Sequence, residues 1–423
     1  MIRILDCSEI EKSEIFAREE EKLDVSSVVC EIIEKVKTEK DKALIYYGKL
    51  FDKADIENLE VSDKEIEEAF SEVDDEFIKI LEEAKENIIR FHSKQKRTSF
   101  IINETEGVVC GQKIIPVEKA GLYVPGGTAA YPSSVLMNCI PAKIAGVKEI
   151  VMVTPPTGGK INAGILAAAK IAGVDRIFKV GGAQAIAALA YGTETVPKVD
   201  KIVGPGNAYV AEAKRQVFGL VSIDMIAGPS EILVVADDKS NPAYIAADLL
   251  SQAEHDKNAS AVLVCTSKEL ALKVQEEIEV QLKTLPREEI ARASIDNNGK
   301  IIVTSSISDA IEIANEIAPE HLELCLDNPF DYLDKIKHAG SIFMGRYCPE
   351  ALGDYFAGAN HTLPTSGTAR FSSPLSVDDF IKKSQYTYYT KDAFSKIADK
   401  VSYFAEKEGL SAHARSATIR KDK

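Results

Sequence analysis

Short β-branched and aliphatic runs recur between residues 150 and 344. Each is followed by an alanine-rich helical stretch, and glycine or proline joins the two. Most of these runs are continuously apolar, which is typical of parallel strands covered by helices on both faces. The repetition therefore predicts an α/β fold, with ligands bound in the loops after the carboxyl ends of the strands. The runs are Ile150–Val153, Arg176–Val180, Lys201–Val203, Ile232–Val235, Ala261–Val264, Ile301–Val303 and Ser341–Met344.

Helical patterns flank this central region on both sides. The first predicted helix has an apolar face formed by Val28, Ile32, Ile33 and Val36. The second begins with a capping box, in which Ser62 precedes Glu65 by three positions. We expect its buried stripe to contain Ile66, Phe70, Val73, Phe77, Leu81 and Ile88.

The C-terminal region has a different pattern. Beyond Pro374 the strands are expected to stop, which leaves two or three amphipathic helices. One has its apolar face at Phe394, Ile397, Val401 and Phe404, and another runs from about Ser411 to Ile419. Because this tail is too short to form a core alone, it must pack on its own domain or on another subunit.

Length, charge and cysteine usage exclude several classes of protein. The chain has 423 residues and a formal net charge of -15, which suits two or three packed domains and disfavours binding to nucleic acid or anionic membranes. No apolar core of signal-peptide length occurs in residues 1–20, so the predicted compartment is the cytoplasm. The 7 cysteines form no Cys-x-x-Cys pair, which argues against a disulfide framework and a thiolate zinc finger.

Two glycine-rich turns follow predicted strands, at Gly181–Gln184 and Gly204–Asn207. Each opens a helix, so its backbone amides could receive a phosphate or the edge of a cofactor. Neither matches the dinucleotide fingerprint, since Tyr209 stands where a small residue would be required. A turn of this kind is also common as a simple tight connection.

Four of the 6 histidines lie in polar clusters. A helix would place Gln252 and His255 on one side, where both could bind one metal ion, although a solvated helix end is the simpler interpretation. Asp354 and His413 would complete a metal site whose ligand atoms are nitrogen and oxygen. His361 is close to Asp354 in sequence. Glu320 and His321 precede a strand-like run and could supply two separate proton acceptors, or they could form the rim of a solvated loop.

Together these segments resemble the histidinol dehydrogenase family over nearly the whole chain. So many long motifs in one order are highly specific. The motifs are Gly121–Gly127, Gly181–Leu189, Gly204–Ala208, Ala227–Glu231, Ser251–His255, Pro319–Leu322, Gly353–Tyr355 and Asn360–Thr365.

The resemblance implies a fold of two Rossmann-like βα domains with parallel-rich sheets, together with N-terminal helices and a helical C-terminal tail. Residues 1–122 with 231–374 would form the first domain, and 123–230 the second, which contacts NAD. Residues 375–423 would form the tail, which crosses to the partner subunit of a homodimer. The resemblance also implies that each active site of this homodimer is shared between the two subunits.

The resemblance also implies a zinc-dependent, NAD-linked oxidation of L-histidinol through L-histidinal to L-histidine, the last step of histidine biosynthesis. His321 would accept the alcohol proton, and Glu320 would deprotonate the water that hydrates the aldehyde. The zinc ligands, which also face the substrate, would be Gln252, His255, Asp354 and His413. Further substrate contacts would come from Ser230, His321, His361 and Glu408, and NAD contacts from Tyr123, Gln184 and Asn207.

Three alternatives stay open at this point. A metallohydrolase would use the same ligands and would produce no NADH. A catalytically silent metal-binding paralogue would not be expected to keep both Glu320 and His321. Within the dehydrogenase interpretation, a cysteine thiohemiacetal at Cys110 or Cys139 could replace activated water in the aldehyde step, although no histidine lies near either cysteine in sequence.

Overall fold

A computed structural model of the chain describes residues 1–9, 24–126 and 130–421. Gly127, in the first of the family motifs, lies outside the described residues. The chain forms two compact units. The first comprises Met1–Gln95 and Glu118–Phe380, and the second comprises Lys96–Val117 and Ile381–Lys423. The predicted domain boundaries at residues 122, 230 and 374 stay predictions.

The strands and helices are numbered in chain order. The strands are β1 (Arg3–Asp6), β2 (Phe100–Ile102), β3 (Val108–Pro116), β4 (Lys119–Tyr123), β5 (Glu149–Thr154), β6 (Arg176–Lys179), β7 (Lys201–Val203), β8 (Ser222–Ile223), β9 (Glu231–Ala236), β10 (Ser260–Cys265), β11 (Lys300–Val303), β12 (His321–Cys325), β13 (Ser341–Met344) and β14 (Ile381–Tyr389). The helices are α1 (Ser26–Glu39), α2 (Asp41–Phe51), α3 (Asp63–Glu72), α4 (Asp75–His92), α5 (Pro132–Ala145), α6 (Ala163–Ala172), α7 (Gly182–Tyr191), α8 (Ala208–Val217), α9 (Pro242–Ala253), α10 (Lys268–Leu282), α11 (Glu288–Asn298), α12 (Ile307–Ile317), α13 (Phe330–Leu333), α14 (Ala351–Tyr355), α15 (Lys391–Ser395), α16 (Ala398–Lys407) and α17 (Ser411–Lys421).

Two parallel sheets form the first unit, as the apolar runs predicted. One has the order β1-β11-β10-β9-β12-β13 and the other β6-β5-β4-β7-β8, and every pairing is parallel. Each sheet contains the order 3-2-1-4-5 of a doubly wound fold, whose switch point lies between its first and fourth strands. The switch points are therefore β9/β12 in one sheet and β4/β7 in the other.

The N-terminal helices pack on the five-stranded sheet. Val29, Ile32 and Leu44 share a buried core with Val151 and Phe178 of that sheet. Val28, which the sequence pattern placed on the apolar face, is instead exposed, and its neighbour Val29 is fully buried. The helix therefore presents a face rotated by one residue from the prediction.

The capping box at Ser62 is confirmed, but the helix after it is shorter than predicted. The Ser62 hydroxyl accepts from the Glu65 amide, and the Glu65 carboxylate accepts from the Ser62 amide. The helix ends at Glu72, because Asp74 starts a new helix by accepting from the Phe77 amide at 2.8 Å. The predicted single stripe is thus divided between α3 and α4.

In the second unit, β14 corrects the prediction that strands stop at Pro374. It pairs with β3 over nine residues, and the sheet order is β14-β3-β2, all antiparallel. The strand was missed because its sequence, IKKSQYTYY, is polar, whereas the predicted strands were recognised by continuous apolar runs. Helices α15 to α17 follow it, as predicted. Among the described residues, no helix is long and apolar enough to cross a membrane.

Candidate active site

The amino ends of β9 and β12, which pair in parallel, carry the side chains of the candidate active site. Glu231 begins β9 and His321 begins β12, while Ser230 and Glu320 directly precede them. These candidate residues therefore lie at the amino ends of this sheet, and the expectation that ligands bind beyond the carboxyl ends stays a prediction for it.

Glu231 and Glu320 hold the two strand ends together by a reciprocal pair of hydrogen bonds. The Glu231 amide donates to the Glu320 carboxylate at 2.9 Å, and the Glu320 amide donates to the Glu231 carboxylate at 3.4 Å. Both side chains are buried. Burial raises the pKa of Glu320 well above its ordinary value, and the neighbouring negative charge of Glu231 adds to this effect. The surroundings of Glu320 therefore favour the neutral form of its carboxyl group.

His321 has a defined tautomer. Its Nδ1 lies 2.9 Å from the Glu231 carbonyl oxygen, which can only accept a hydrogen bond, so Nδ1 carries the proton. Nε2 therefore has its lone pair available, and it lies 3.9 Å from a Glu350 carboxylate oxygen. Burial lowers the pKa of this imidazole, which keeps it neutral. The geometry gives His321 the properties of a general base.

Two carboxyl groups, that of the buried Glu350 and that of the half-buried Asp354, lie next to His321. One possible ligand atom from each of these three residues falls within 4.8 Å of the others. Ser251 donates to one oxygen of Glu350 at 3.0 Å, while the other, Oε1, is buried and has no hydrogen-bond partner among the described residues. Burial, together with the charge of Glu350, raises the pKa of Asp354 to about 8. Such a pair of acids favours a bound cation, because a cation would balance their charge.

Gln252 and His255 lie at the end of α9. The helix ends at Ala253, so His255 lies in the following turn rather than on the helix as predicted. The His255 amide donates to the Gln252 carbonyl at 3.1 Å, and this bond keeps the two residues close. The charged form of His255 would lower the pKa of both His321 and His361, which shows that the three imidazoles share one neighbourhood.

Both ring nitrogens of His361 make a polar contact, and these two contacts fix the ring. Nδ1 lies 3.2 Å from the Asp354 carbonyl oxygen and Nε2 lies 3.3 Å from the Ser134 hydroxyl. Burial lowers the pKa of His361 to about 4, so the ring is neutral at physiological pH. Ser230 is half-buried at the start of β9. The structure thus gathers Gln252, His255, Glu320, His321, Asp354 and His361 in the first unit.

The remaining two predicted substrate contacts belong to the second unit. Glu408 directly follows α16, and His413 lies in the first turn of α17. Both residues are exposed.

A second group of predicted residues lies at the carboxyl ends of strands in the five-stranded sheet. Tyr123 ends β4, and its hydroxyl accepts from the Gly182 amide at 3.1 Å, at the turn after β6. Asn207 follows β7 and caps α8 by accepting from the Tyr209 and Val210 amides, each at 3.1 Å. Gln184 is buried in the first turn of α7. This edge includes the β4/β7 switch point, where doubly wound sheets bind nucleotides.

A buried ion pair stabilises the turn between β7 and α8. The Lys214 ammonium pairs with the Asp224 carboxylate, and both side chains are almost completely buried. Lys214 also donates to the Gly204 carbonyl at 3.1 Å, while Asp224 accepts from the Gly204 amide at 2.7 Å. Gly204 has φ +114, and a Cβ there would lie 2.0 Å from the Tyr123 carbonyl oxygen. Only glycine fits this position.

Sequence reasoning missed Glu231 and Glu350. Glu350 stands four positions before Asp354, a spacing that places two side chains on one helix face, so the pattern could have identified it. Glu231 gave no comparable signal. Its role depends on contact with Glu320, which is 89 positions away in sequence.

Comparisons with known proteins identify the family of this chain. A family model described as histidinol dehydrogenase matches residues 16–421. The chain is 59% identical to a histidinol dehydrogenase of Bacillus cereus over 396 residues, which is 94% of this chain and 92% of the relative. It is 59% identical to that of Clostridium acetobutylicum over 401 residues, which is 95% of this chain and 93% of the relative.

A solved structure gives the same result. The crystal structure of histidinol dehydrogenase from Elizabethkingia anophelis superposes with a TM-score of 0.94 at 44% identity, covering 99% of this chain and 98% of that one. Family model, curated relatives and solved structure all cover nearly the full chain. We conclude that this chain belongs to the histidinol dehydrogenase family.

Proposed function

We propose that this chain oxidises L-histidinol through L-histidinal to L-histidine with NAD, the last step of histidine biosynthesis, in the cytoplasm. The observation that carries the proposal is the neutral, buried His321, whose available Nε2 lies 3.9 Å from Glu350 of the Glu350–Asp354 acid pair, while its Nδ1 lies 3.7 Å from Glu320. A base and a second carboxyl group are what an alcohol oxidation followed by an aldehyde oxidation requires. Family membership favours this function over a metallohydrolase or a silent paralogue.

The residues present fit a zinc ion. Asp354 is half-buried with a raised pKa, and Glu350 has an oxygen without a partner among the described residues, so positive charge would stabilise both. Gln252, His255 and Asp354 of one subunit, with His413 of a second copy, would hold the ion. When bound, zinc would orient the substrate through its imidazole and amino nitrogens.

His321 acts in the first oxidation. Its Nε2 accepts the hydroxyl proton of L-histidinol. Bound NAD would accept the hydride that leaves the carbon beside that hydroxyl. The hydrogen bond from Nδ1 to the Glu231 carbonyl keeps the ring in this tautomer and orientation. The product of this step is the aldehyde.

Glu320 acts in the second oxidation. In its ionised form it removes a proton from the water that attacks the aldehyde carbon and returns a proton to the carbonyl oxygen, which gives a gem-diol. A second molecule of NAD would accept the hydride that leaves the gem-diol, and the accompanying hydroxyl proton would pass to solvent, which gives the carboxylic acid. Burial favours the neutral form of Glu320, and a bound cation would oppose this effect and favour the ionised form. Ser230 and His361, at the edges of the same site, would hold the substrate.

The proposal includes a homodimer with shared sites. The second unit exposes large apolar side chains on both its sheet and its helices, which are typical of a surface that a partner covers. These are Phe100, Ile101, Tyr388, Tyr403 and Phe404. Glu408 and His413 lie in the same unit and are exposed, so they are accessible to the site of a second copy.

The stoichiometry of NADH formation tests the reaction. With limiting L-histidinol, excess NAD and zinc, purified protein should form about two NADH per substrate, because the same site performs both oxidations. NADH is followed by its absorbance and L-histidine by chromatography. One NADH per substrate would show that the chain stops at the aldehyde. Hydrolytic turnover without NADH would support the metallohydrolase instead.

The pH dependence of zinc binding tests the metal site. Asp354 has a raised pKa of about 8, so below that pH it is protonated and must lose its proton before it binds zinc. Zinc affinity should therefore rise about tenfold per pH unit up to about pH 8, and level off above it. Competition with a fluorescent chelator between pH 6.8 and 9 measures this slope. In Asp354→Asn the slope should be smaller, and a flat profile in the unaltered protein would contradict the assignment.

A further inference from the structure

Two hydrogen-bond acceptors remain without partners near the turn between β6 and α7. The Asp52 Oδ2 and Gln184 Oε1 atoms are buried, and neither has a hydrogen-bond partner among the described residues. Gln184 is a predicted NAD contact, but Asp52 has been given no role. A buried acceptor without a donor is costly, so a donor from outside the chain would stabilise the site.

The packing of α2 on α7 places Asp52 at this turn. At the start of α2, the Lys40 ammonium donates to the Gly192 carbonyl at 3.1 Å, and the Asp41 amide donates to Glu194 at 2.9 Å. Gly192 and Glu194 follow the end of α7, and the two helices contact each other. They are of similar length, and Tyr47 in the second half of α2 shares a buried core with Ala183 at the start of α7, so the end of α2, where Asp52 lies, extends towards the start of α7.

The charge of Asp52 affects Tyr123, which is a predicted NAD contact at this turn. The negative charge raises the pKa of the Tyr123 hydroxyl, in addition to the larger effect of burial. That hydroxyl accepts from the Gly182 amide at 3.1 Å, in the first residue of α7. Asp52, Tyr123, Gly182 and Gln184 therefore belong to one subsite at the carboxyl ends of β4 and β6.

The backbone around Asp52 is held in place. The Asp52 and Ala54 amides both donate to the Gly48 carbonyl, at 3.0 and 3.2 Å. Lys53 between them has φ +51, in the left-handed region that non-glycine residues rarely adopt. Strained positions of this kind persist where the surrounding structure fixes them, and they are frequent at ligand sites. The Asp52 carboxylate is thus presented by a fixed turn.

The chemistry of the subsite selects one part of NAD. A carboxylate and an amide oxygen accept hydrogen bonds and repel phosphate, so the pyrophosphate does not suit this position. Ribose hydroxyls are donors, and an acidic side chain is the usual partner of the adenosine ribose in doubly wound folds. Strands β4, β5 and β6 form the half of this sheet that corresponds to the adenosine half of such folds.

We propose that Asp52 binds the hydroxyls of the adenosine ribose of NAD and excludes a cofactor that carries a 2′-phosphate. This inference rests on the proposed use of NAD. Asp52 is a specificity-determining residue, and no proton or hydride passes through it. Burial raises the pKa of its carboxyl group to about 6, so Asp52 is mostly ionised at pH 7.5 and would repel the additional phosphate of NADP.

Equilibrium binding of three probes tests this assignment. Isothermal titration calorimetry would measure the Kd of NAD, ADP-ribose and NADP with the full chain at pH 7.5. In Asp52→Asn, affinity for NAD and ADP-ribose should fall about 10- to 100-fold, the effect of losing a hydrogen bond to a charged group. NADP should bind at least as well as before, so that the preference for NAD decreases. ADP-ribose is included because it lacks nicotinamide and reports on the adenosine half alone.

Asp55→Asn is the matched control. Asp55 lies three positions later, is exposed and pairs with Lys49 at 3.5 Å, so its loss should change no Kd. Circular dichroism confirms that each variant is folded, and Asp52→Ser replaces Asp52→Asn if the latter is not. Unchanged binding of NAD and ADP-ribose in the folded variant, or equal losses for NAD and NADP, would overturn the assignment while leaving the proposed function intact. A folded, unaltered chain that binds none of the probes would overturn both.

Discussion

Refolding a mixture of the His255→Ala and His413→Ala variants is expected to restore activity in about a quarter of all active sites. Each variant alone should be inactive, because every site in its homodimer lacks one zinc ligand. If the second unit of one chain serves the site of its partner, a mixed dimer has one site without both ligands and one intact site. About half of randomly formed dimers are mixed, and half of their sites are intact.

The measurement is NADH formation after the two variants are unfolded and refolded together. A mixture of His255→Ala with Gln252→Ala is the matched control, since both residues lie at the end of α9 and no exchange between chains can repair either site. If the first mixture stays inactive while mass spectrometry shows mixed dimers, His413 serves its own chain and the shared site is rejected.

Replacing Glu320 by Gln should separate the two oxidations. Aldehyde oxidation should fall by about 10²- to 10⁴-fold, the usual effect of losing a general base, because only this step needs activated water. Alcohol oxidation should decrease much less, since His321 is the base for that step and keeps its hydrogen bond to the Glu231 carbonyl. The two steps are measured by supplying L-histidinol or L-histidinal as the substrate in single-turnover reactions.

Glu316→Gln provides the control for this variant. Glu316 is an exposed acid on α12 that lies 3.4 Å from Arg370, so its replacement should leave both oxidations unchanged. If Glu320→Gln slowed both oxidations equally, Glu320 would be needed for substrate binding or for folding of the site, and the division of roles would be wrong.

The fold was predictable where a strand is buried on both faces. Runs such as Ile232–Val235 are continuously apolar because helices cover both sides of the sheet, and every predicted run is a strand. Strand β14 has mostly exposed side chains, so the sequence lacks that signal. Its pairing with β3 depends on contacts between distant segments, which no local pattern shows.

The site was predictable to the extent that its residues occur in recognisable motifs. The neighbouring Glu320 and His321 were identified as proton acceptors, and the structure places both at one strand end. The tautomer of His321 was not predictable, because it depends on the carbonyl of Glu231 from another strand. The edge of the sheet that carries the site was likewise set by strand order rather than by any local motif.

The pairing of β3 with β14 has a consequence for biosynthesis of the chain. Strand β14 leaves the ribosome roughly 270 residues after β3, which corresponds to roughly 15 to 55 s at ordinary rates of translation. During that interval β3 has only the short strand β2 as a partner in this sheet, and its edge towards β14 is unpaired. A nascent chain is therefore more prone to aggregate before β14 is made, and slow translation of that strand would prolong the exposure.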